Sequence, residues 1–159
     1  MTANEINQNI SKDEAIGRAR FSDFQITQQP DWDINKFSET TSASWDVAYY
    51  TGTTRDMVIG EIKNRYKSDN QYDTWILEEI KIRGLFETKR LLQLKYPNAT
   101  IYIHYINFYN NTDKPRFWDI TNLIPDFESN SYPKNSFDPN AKIVDKLSMM
   151  LKNNEAINL

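Results

Sequence analysis

The rhythm of apolar and polar positions changes several times along the chain, and each change predicts an element. Residues 1–10 are polar and read as a mobile tail. Ser11-Lys12-Asp13-Glu14 then has the S-x-x-E form of a capping box, with Ile10 and Ala15 placed as a hydrophobic staple, so a short helix is expected through about Phe24. Residues 30–41 mix Asp, Asn, Ser and Thr with Trp32 and Phe37, the composition of a loop with a few buried anchors. ASWDVAYY at 43–50 and MVIGEIKNR from Met57 are β-rich runs around TGTTRD, which predicts a hairpin. From Asp73 a helix is expected to Lys95, with Ile76, Leu77, Ile80, Leu91 and Leu92 on its apolar side and Pro97 beyond its end. Gly84 is its weak point or a place of close packing. TIYIHYINFY at 100–109 is apolar on both faces, as a central strand is. Residues 110–137 read as irregular, and Asp138-Pro139 opens a last helix presenting Ile143, Leu147 and Leu151.

Strand, helix, strand in this order implies a right-handed crossover and a parallel pairing of 57–64 with 100–109. The fold class expected is therefore α/β, a mixed central β-sheet flanked by helices in one domain spanning 1–159. Hydrophobic residues at 39% and charged residues at 26% fit a globular chain, and aromatic residues at 13% supply bulk for its core. The absence of cysteine excludes disulfides, thiolate metal sites and a cysteine nucleophile. No apolar stretch is long enough to span a bilayer and the first residues lack a signal-peptide pattern, so a cytoplasmic protein is expected. The formal charge of −3 argues against indiscriminate nucleic-acid binding, although the middle of the chain, 61–96, is basic beside an acidic first third.

The chemistry concentrates in one strand. Met57 to Ile62 is apolar except for Glu61, and Lys63 follows two residues later, so a carboxylate and an ammonium project from the same face. Charges near the end of a buried strand cost desolvation energy unless they are paired or hold a metal. Asp46 lies on the preceding strand, where hairpin pairing brings a second carboxylate alongside. Two carboxylates and a lysine supply oxygen ligands for a divalent cation and a positive charge for a phosphodiester. Glu-x-Lys recurs at Glu79/Lys81 and Glu87/Lys89, but those copies fall in the predicted helix, where residues two apart do not face each other.

With Asp46 on one strand and Glu61-Ile62-Lys63 on the next, residues 11–109 resemble the PD-(D/E)XK nuclease superfamily, whose restriction-endonuclease-like core runs α-β-β-α-β. The proline that precedes the family's aspartate is absent, since Trp45 stands there. The resemblance implies a metal-dependent deoxyribonuclease that uses Mg²⁺ or Mn²⁺, and endonuclease action is expected over exonuclease action because nothing in the sequence suggests a closed channel. Asp46 and Glu61 would be metal ligands, Ile62 would lend its backbone carbonyl, and Lys63 would be the catalytic lysine. Glu14 reads first as the partner of Ser11 in the capping box and second as a further metal ligand from the first helix. Residues 110–159 would be an extension outside the family core.

Lys81, on the helix after the Glu-x-Lys strand, is the first candidate for contact with DNA, followed by Tyr66 and Lys67 just beyond the strand. His104, the sole histidine, reads as a hydrogen-bonded packing residue. A homodimer, through the last helix or the Tyr-rich strand, would let two sites address two DNA strands. Abundant Asn and Ile fit an AT-rich bacterial or phage genome. Two rival readings are a nuclease fold that binds nucleic acid or protein without catalysis, and a small viral structural or assembly protein in which Glu61 and Lys63 are a surface ion pair.

Overall fold

A computed structural model describes residues 1–40 and 42–159; Thr41, the last residue of the predicted loop, lies outside the described residues. The elements are helix α1 (Ala3–Gln28), strands β1 (Asp33–Phe37), β2 (Val47–Thr51), β3 (Asp56–Arg65) and β4 (Thr74–Glu78), helix α2 (Glu79–Lys95), and strands β5 (Ile101–Tyr109), β6 (Arg116–Asp119), β7 (Glu128–Pro133) and β8 (Ile143–Lys152). A 3₁₀ turn, Asn153–Glu155, follows β8.

Five strands form the central sheet in the order β1-β2-β3-β5-β6. β2 and β3 are the expected antiparallel hairpin, with Val47 opposite Gly60 and Thr51 opposite Asp56. β3 and β5 run parallel from Met57/Ile101 to Arg65/Tyr109, so the sheet is mixed, as expected. α1 covers one face through Phe21 and Phe24, which pack with Trp32, Val47, Tyr49, Val58, Ile62, Ile106, Phe108 and Phe117. α2 covers the other through Ile82 and Leu85, against Ile59, Ile103, Tyr105 and Trp118. The order helix, hairpin, helix, parallel strand is the α-β-β-α-β core; β1 and β4 are added to it.

Several expectations are corrected. Residues 1–10 are not a tail, because α1 begins at Ala3. Thr2 caps it in a box of its own, with the Glu5 amide donating to Thr2 Oγ1 at 3.3 Å and the Thr2 amide to Glu5 Oε2 at 2.6 Å. The chain thus holds two boxes of the same form, no Gly or Pro stops the helix between them, and Ser11 lies in its interior. The helix runs on to Gln28, and Asp33–Phe37, in the segment read as loop, is an edge strand whose neighbour Trp32 is buried.

The helix expected from Asp73 starts instead at Glu79. Thr74–Glu78 alternate, with Trp75 and Leu77 buried between partly exposed neighbours, which is strand periodicity. The last expected helix is strand β8, the middle of a second sheet ordered β4-β8-β7. Spacing by four, as at Ile143, Leu147 and Leu151, is also two strand periods, and the β-branched Ile143 and Val144 favour the strand. Residues 110–137 likewise contain β6 and β7. Neither expected dimer face has the expected form: Ile143–Lys152 is a strand and not a helix, and the Tyr-rich strand β5 is buried between β3 and β6.

His104 is buried and its Nδ1 lies 2.5 Å from the Tyr49 hydroxyl, the packing role expected of it. Burial lowers its pKa to about 4, so it stays a neutral hydrogen-bonding group at physiological pH.

Gly84 is a place of close packing. A Cβ there would stand 2.5 Å from both Cβ and Oγ of Ser44, in the segment leading into β2. Gly84→Ala is therefore expected to destabilise the protein, since overpacking of about 1–3 kcal/mol exceeds a helix-propensity gain of about 1 kcal/mol. In a Ser44→Gly background the clash is gone and the same alanine should stabilise. Chemical denaturation of the four proteins of this cycle checks the sign reversal, and alanine effects of equal sign in both backgrounds would refute the contact.

Candidate functional site

β3 outlasts its partner β2. The ladder ends at Val47 opposite Gly60, whereas β5 accompanies β3 to Arg65. Asp46, the residue before β2, occupies the break. Its amide donates to the Gly60 carbonyl at 2.8 Å, and its Oδ2 accepts from the Ile62 amide at 2.7 Å, where the next ladder carbonyl would stand. A strand residue sends its N–H and C=O to the same side, so the Ile62 carbonyl also projects past the end of β2, beside Asp46.

On the α2 face of this open edge lies Glu61, only 1% exposed. Its Oε1 is 2.6 Å from Lys63 Nζ and 3.0 Å from Lys81 Nζ. Its Oε2 is buried and accepts no hydrogen bond. Burial pushes the Glu61 pKa up, but the two ammoniums outweigh it and hold the carboxyl below its ordinary range. Lys63 is opposed by burial and favoured by Glu61, with the balance on the side of the charged form, so it stays an ammonium throughout the physiological range. For Asp46 the balance is reversed, although Lys63, the Ile62 amide and Lys81 all pull its pKa down. Burial first, and the Glu61 charge second, raise its pKa to about 7.

These groups line a cavity of about 170 Å³ together with residues of α1, among them Asp13, Glu14 and Arg18. α1 reaches the edge because residue 17 is glycine; a Cβ there would lie 3.0 Å from Ile62 Cγ2 and 3.3 Å from Asn64 Nδ2. Glu14 faces this cavity and is no capping residue, which corrects its first reading, since Ser11 lies within the helix. Its nearest cation is Arg18, with Nη2 3.9 Å from Glu14 Oε2, and burial raises its pKa. Among the described residues, no three or more His, Cys, Asp or Glu side chains gather as a ready metal cluster. Glu14 shares the cavity without joining Asp46 and Glu61 in such a set.

The geometry thus brings Asp46, Glu61, Ile62, Lys63 and Lys81 together. Lys81, expected to face DNA, instead holds Glu61 from α2. The other Glu-x-Lys copies are accounted for within the helix: Glu79 pairs with Arg83 and Glu87 with Arg90. Tyr66 and Lys67 lie outside the small cavity, in a neighbouring groove. Sequence reasoning missed Arg18 and Phe137, which also line the cavity. The phase of α1, set by buried Gly17, Phe21 and Phe24, was the available signal for Arg18; Phe137, brought in from the loop after β7, had none.

A pair of carboxylates with one backbone carbonyl suits Mg²⁺ or Mn²⁺, which is often held by one or two carboxylates and keeps several waters. The buried, unpartnered Oε2 of Glu61 and the raised pKa of Asp46 are both features that a divalent cation would relieve.

No family model matches the chain, and no curated protein is significantly similar in sequence. Among solved structures, the chain is similar to Hjc of Archaeoglobus fulgidus, a Holliday junction resolvase from an archaeal hyperthermophile, with a TM-score of 0.46 and 11% identity over 80% of this chain and 85% of that one. No helix among the described residues is long and apolar enough to cross a membrane.

The Asp46 shift has a definite sign. Its pKa rises from an ordinary 3.8 to about 7 on folding, so the folded chain holds this proton more tightly than the unfolded chain. The resulting stabilisation is complete below about pH 4 and is lost as pH rises to about 7, by at most about 1.4 kcal/mol per pH unit. In EDTA, Asp46→Asn, whose amide oxygen still accepts from Ile62, should gain thermal stability relative to wild type at pH 8 and little at pH 4. Parallel melting profiles across this range would contradict the assignment.

Proposed function

We propose that this protein is a divalent-metal-dependent nuclease that hydrolyses phosphodiester bonds in DNA, acting as an endonuclease of the PD-(D/E)XK type. The observation that carries the reading is the fully buried Glu61 carboxylate, with one oxygen clamped by Lys63 and Lys81 and the other lacking any donor, beside a second buried carboxylate at an open strand edge. A surface ion pair, the rival reading of Glu61 and Lys63, would leave the carboxylate in water and would need neither Lys81 nor Asp46.

Asp46, Glu61 through Oε2 and the Ile62 carbonyl would hold Mg²⁺ or Mn²⁺, which when bound supplies Lewis acidity and a water acidic enough to attack phosphorus. The Glu61 carboxylate favours the ammonium form of Lys63, so Lys63 acts here as a cation. It orients an anionic oxygen and stabilises the negative charge that develops on the phosphoryl group. Lys81 shares Glu61 Oε1 with it and holds the carboxylate in place from α2. Glu14 and Arg18 form the α1 wall. Tyr66 and Lys67 extend the surface beyond Lys63 toward the rest of the substrate. A dimer would place two such sites on two strands.

Labelled single-stranded, duplex and branched DNA, incubated with Mg²⁺, Mn²⁺ or EDTA, tests the reading. Wild type should cut only with metal, and Lys63→Ala, once shown to be folded, should cut more slowly by roughly a hundredfold or more. Absence of cutting together with absence of any metal-induced thermal shift would overturn the proposal; DNA binding that persists without cutting would favour the non-catalytic binding module. A separate prediction concerns the ligand set: Mg²⁺ or Mn²⁺ should raise the melting temperature of wild type and of Lys63→Ala, and this rise should be lost in Glu61→Gln. An undiminished rise in Glu61→Gln would remove Glu61 from the site.

A further inference from the structure

A groove of about 970 Å³ opens beside the site. Asp13, Lys63, Asn64 and Phe137 line both the groove and the small cavity, so the two are continuous, with Lys63 and Phe137 at the junction. Its far part is walled by the end of β3 and the following loop, by β4, and by Tyr132 and Met150 of the second sheet.

Two aromatic rings stand open here. Tyr66 is 60% exposed and Tyr72 47% exposed. Both are held in place by their surroundings. The Tyr66 hydroxyl donates to Asp13 Oδ1 at 2.5 Å, and Asn64 Nδ2 reaches the same oxygen at 3.1 Å, which pins the tip of the ring and leaves its body free. The Tyr72 ring packs edge to face on buried Trp75 with centroids 5.5 Å apart, and its backbone carbonyl accepts from Asn153 Nδ2 at 2.7 Å. Fixed and exposed rings lose little entropy when something stacks on them.

The charges along the groove are mixed, with a cationic surplus. Lys63, Arg65 and Lys67 face Asp13 and Asp73. Asp13 is already covered by Tyr66 and Asn64, and Arg65 is committed to the Ile76 carbonyl and the Tyr105 hydroxyl, both at 3.1 Å. Lys67 is exposed and makes no ion pair among the described residues. Lys67 is therefore the cation placed to meet a phosphate in the groove, Lys63 stands at its junction with the site while paired with Glu61, and the tyrosines are the groups placed to meet bases.

We infer that this groove binds unpaired nucleotides of the DNA substrate, whose bases stack on Tyr66 and Tyr72 while the adjoining phosphate enters the Asp46/Glu61/Lys63 site. A duplex keeps its base faces inside its own stack, where no side chain reaches them without unstacking. An aromatic-walled groove leading to the site thus selects DNA with a single-stranded segment next to the cleaved bond. The volume lies within the roughly 300–1,000 Å³ of pockets that enclose drug-sized ligands, which suits a short run of nucleotides. This inference rests on the nuclease reading of the adjoining site.

The test is binding without chemistry. Fluorescence anisotropy in EDTA would compare labelled oligo(dT) with a blunt duplex of equal length, for wild type, Tyr66→Leu, Tyr72→Leu and Tyr66→Phe, each verified by thermal melting. Wild type should prefer oligo(dT). Each leucine variant should weaken oligo(dT) binding about tenfold and duplex binding by less, while Tyr66→Phe, which keeps the ring and loses only its tie to Asp13, should weaken oligo(dT) binding less than Tyr66→Leu does. A 2-aminopurine in the strand should be quenched by wild type and less by the leucine variants. Equal affinity for the two DNAs, or undiminished oligo(dT) binding by folded leucine variants, would overturn the inference. Metal-dependent cutting that survives in those variants would then leave the nuclease reading standing, whereas ring-dependent oligo(dT) binding without any cutting would support the groove and remove the nuclease.

Discussion

The site depends on a mismatch in strand length. β3 needs hydrogen-bond partners on both edges to be buried, and β2 supplies them only as far as Gly60. Beyond that point the Asp46 carboxylate takes the role of a strand, accepting from the Ile62 amide. One side chain therefore closes the ladder and places a negative charge at its end. The same break admits α1 from one face and α2 from the other, so residues from both sides of the sheet meet at a single edge. Had β2 continued by two residues, the cavity would be filled with backbone.

Electrostatics then make the cluster unbalanced in a particular way. Removing Glu61 from water costs several kcal/mol, and two lysines on one oxygen offset that cost only if their own burial is incomplete. Lys63 and Lys81 meet this condition, with side chains 32% and 34% exposed against 1% for Glu61. The ammoniums lie toward the solvent side and the carboxylate lies inside, the reverse of a surface pair. Asp46 is held protonated first by its burial and second by the Glu61 charge beside it. A purely structural pair would not keep a second carboxylate close and undercompensated. The arrangement is stable as it stands and has room for more positive charge.

Much of this was legible in the sequence, because its signals were local. The β2/β3 hairpin, the apolar strand β5 and the period-two placing of Glu61 and Lys63 all follow from neighbouring residues. The misplaced elements share a different cause. Two capping boxes compete for α1, and with no Gly or Pro between them the helix starts at the first. Thr74–Glu78 abuts α2 directly, so a strand and a helix merged into one apolar run. At β8 the spacing satisfied both periods, and its pairing with β4 and β7, distant in sequence, decided between them. Lys81 was legible as a candidate but not in its role. Its approach to Glu61 depends on how α2 seats over the sheet, a tertiary fact registered by Gly84 against Ser44.

The same long-range pairing explains why the last third of the chain matters to the site. β8 pairs with β4, and the turn after it is tied back to the central sheet. Trp118 Nε1, on β6, donates to the Lys152 carbonyl at 2.8 Å, while Trp75 Nε1, on β4, donates to Asn153 Oδ1 at 2.9 Å within the second sheet's own end. Arg116 reaches the same Asn153 oxygen at 2.6 Å. The bonds from Trp118 and Arg116 join the end of the second sheet to β6 of the central one. From the second sheet β7 leads into the loop that carries Phe137 to the mouth of the cavity. Residues read as lying outside the core thus form one wall of the groove and set its width. The charged edge of β3 determines what chemistry the site can perform; the second sheet determines what shape of molecule can reach it.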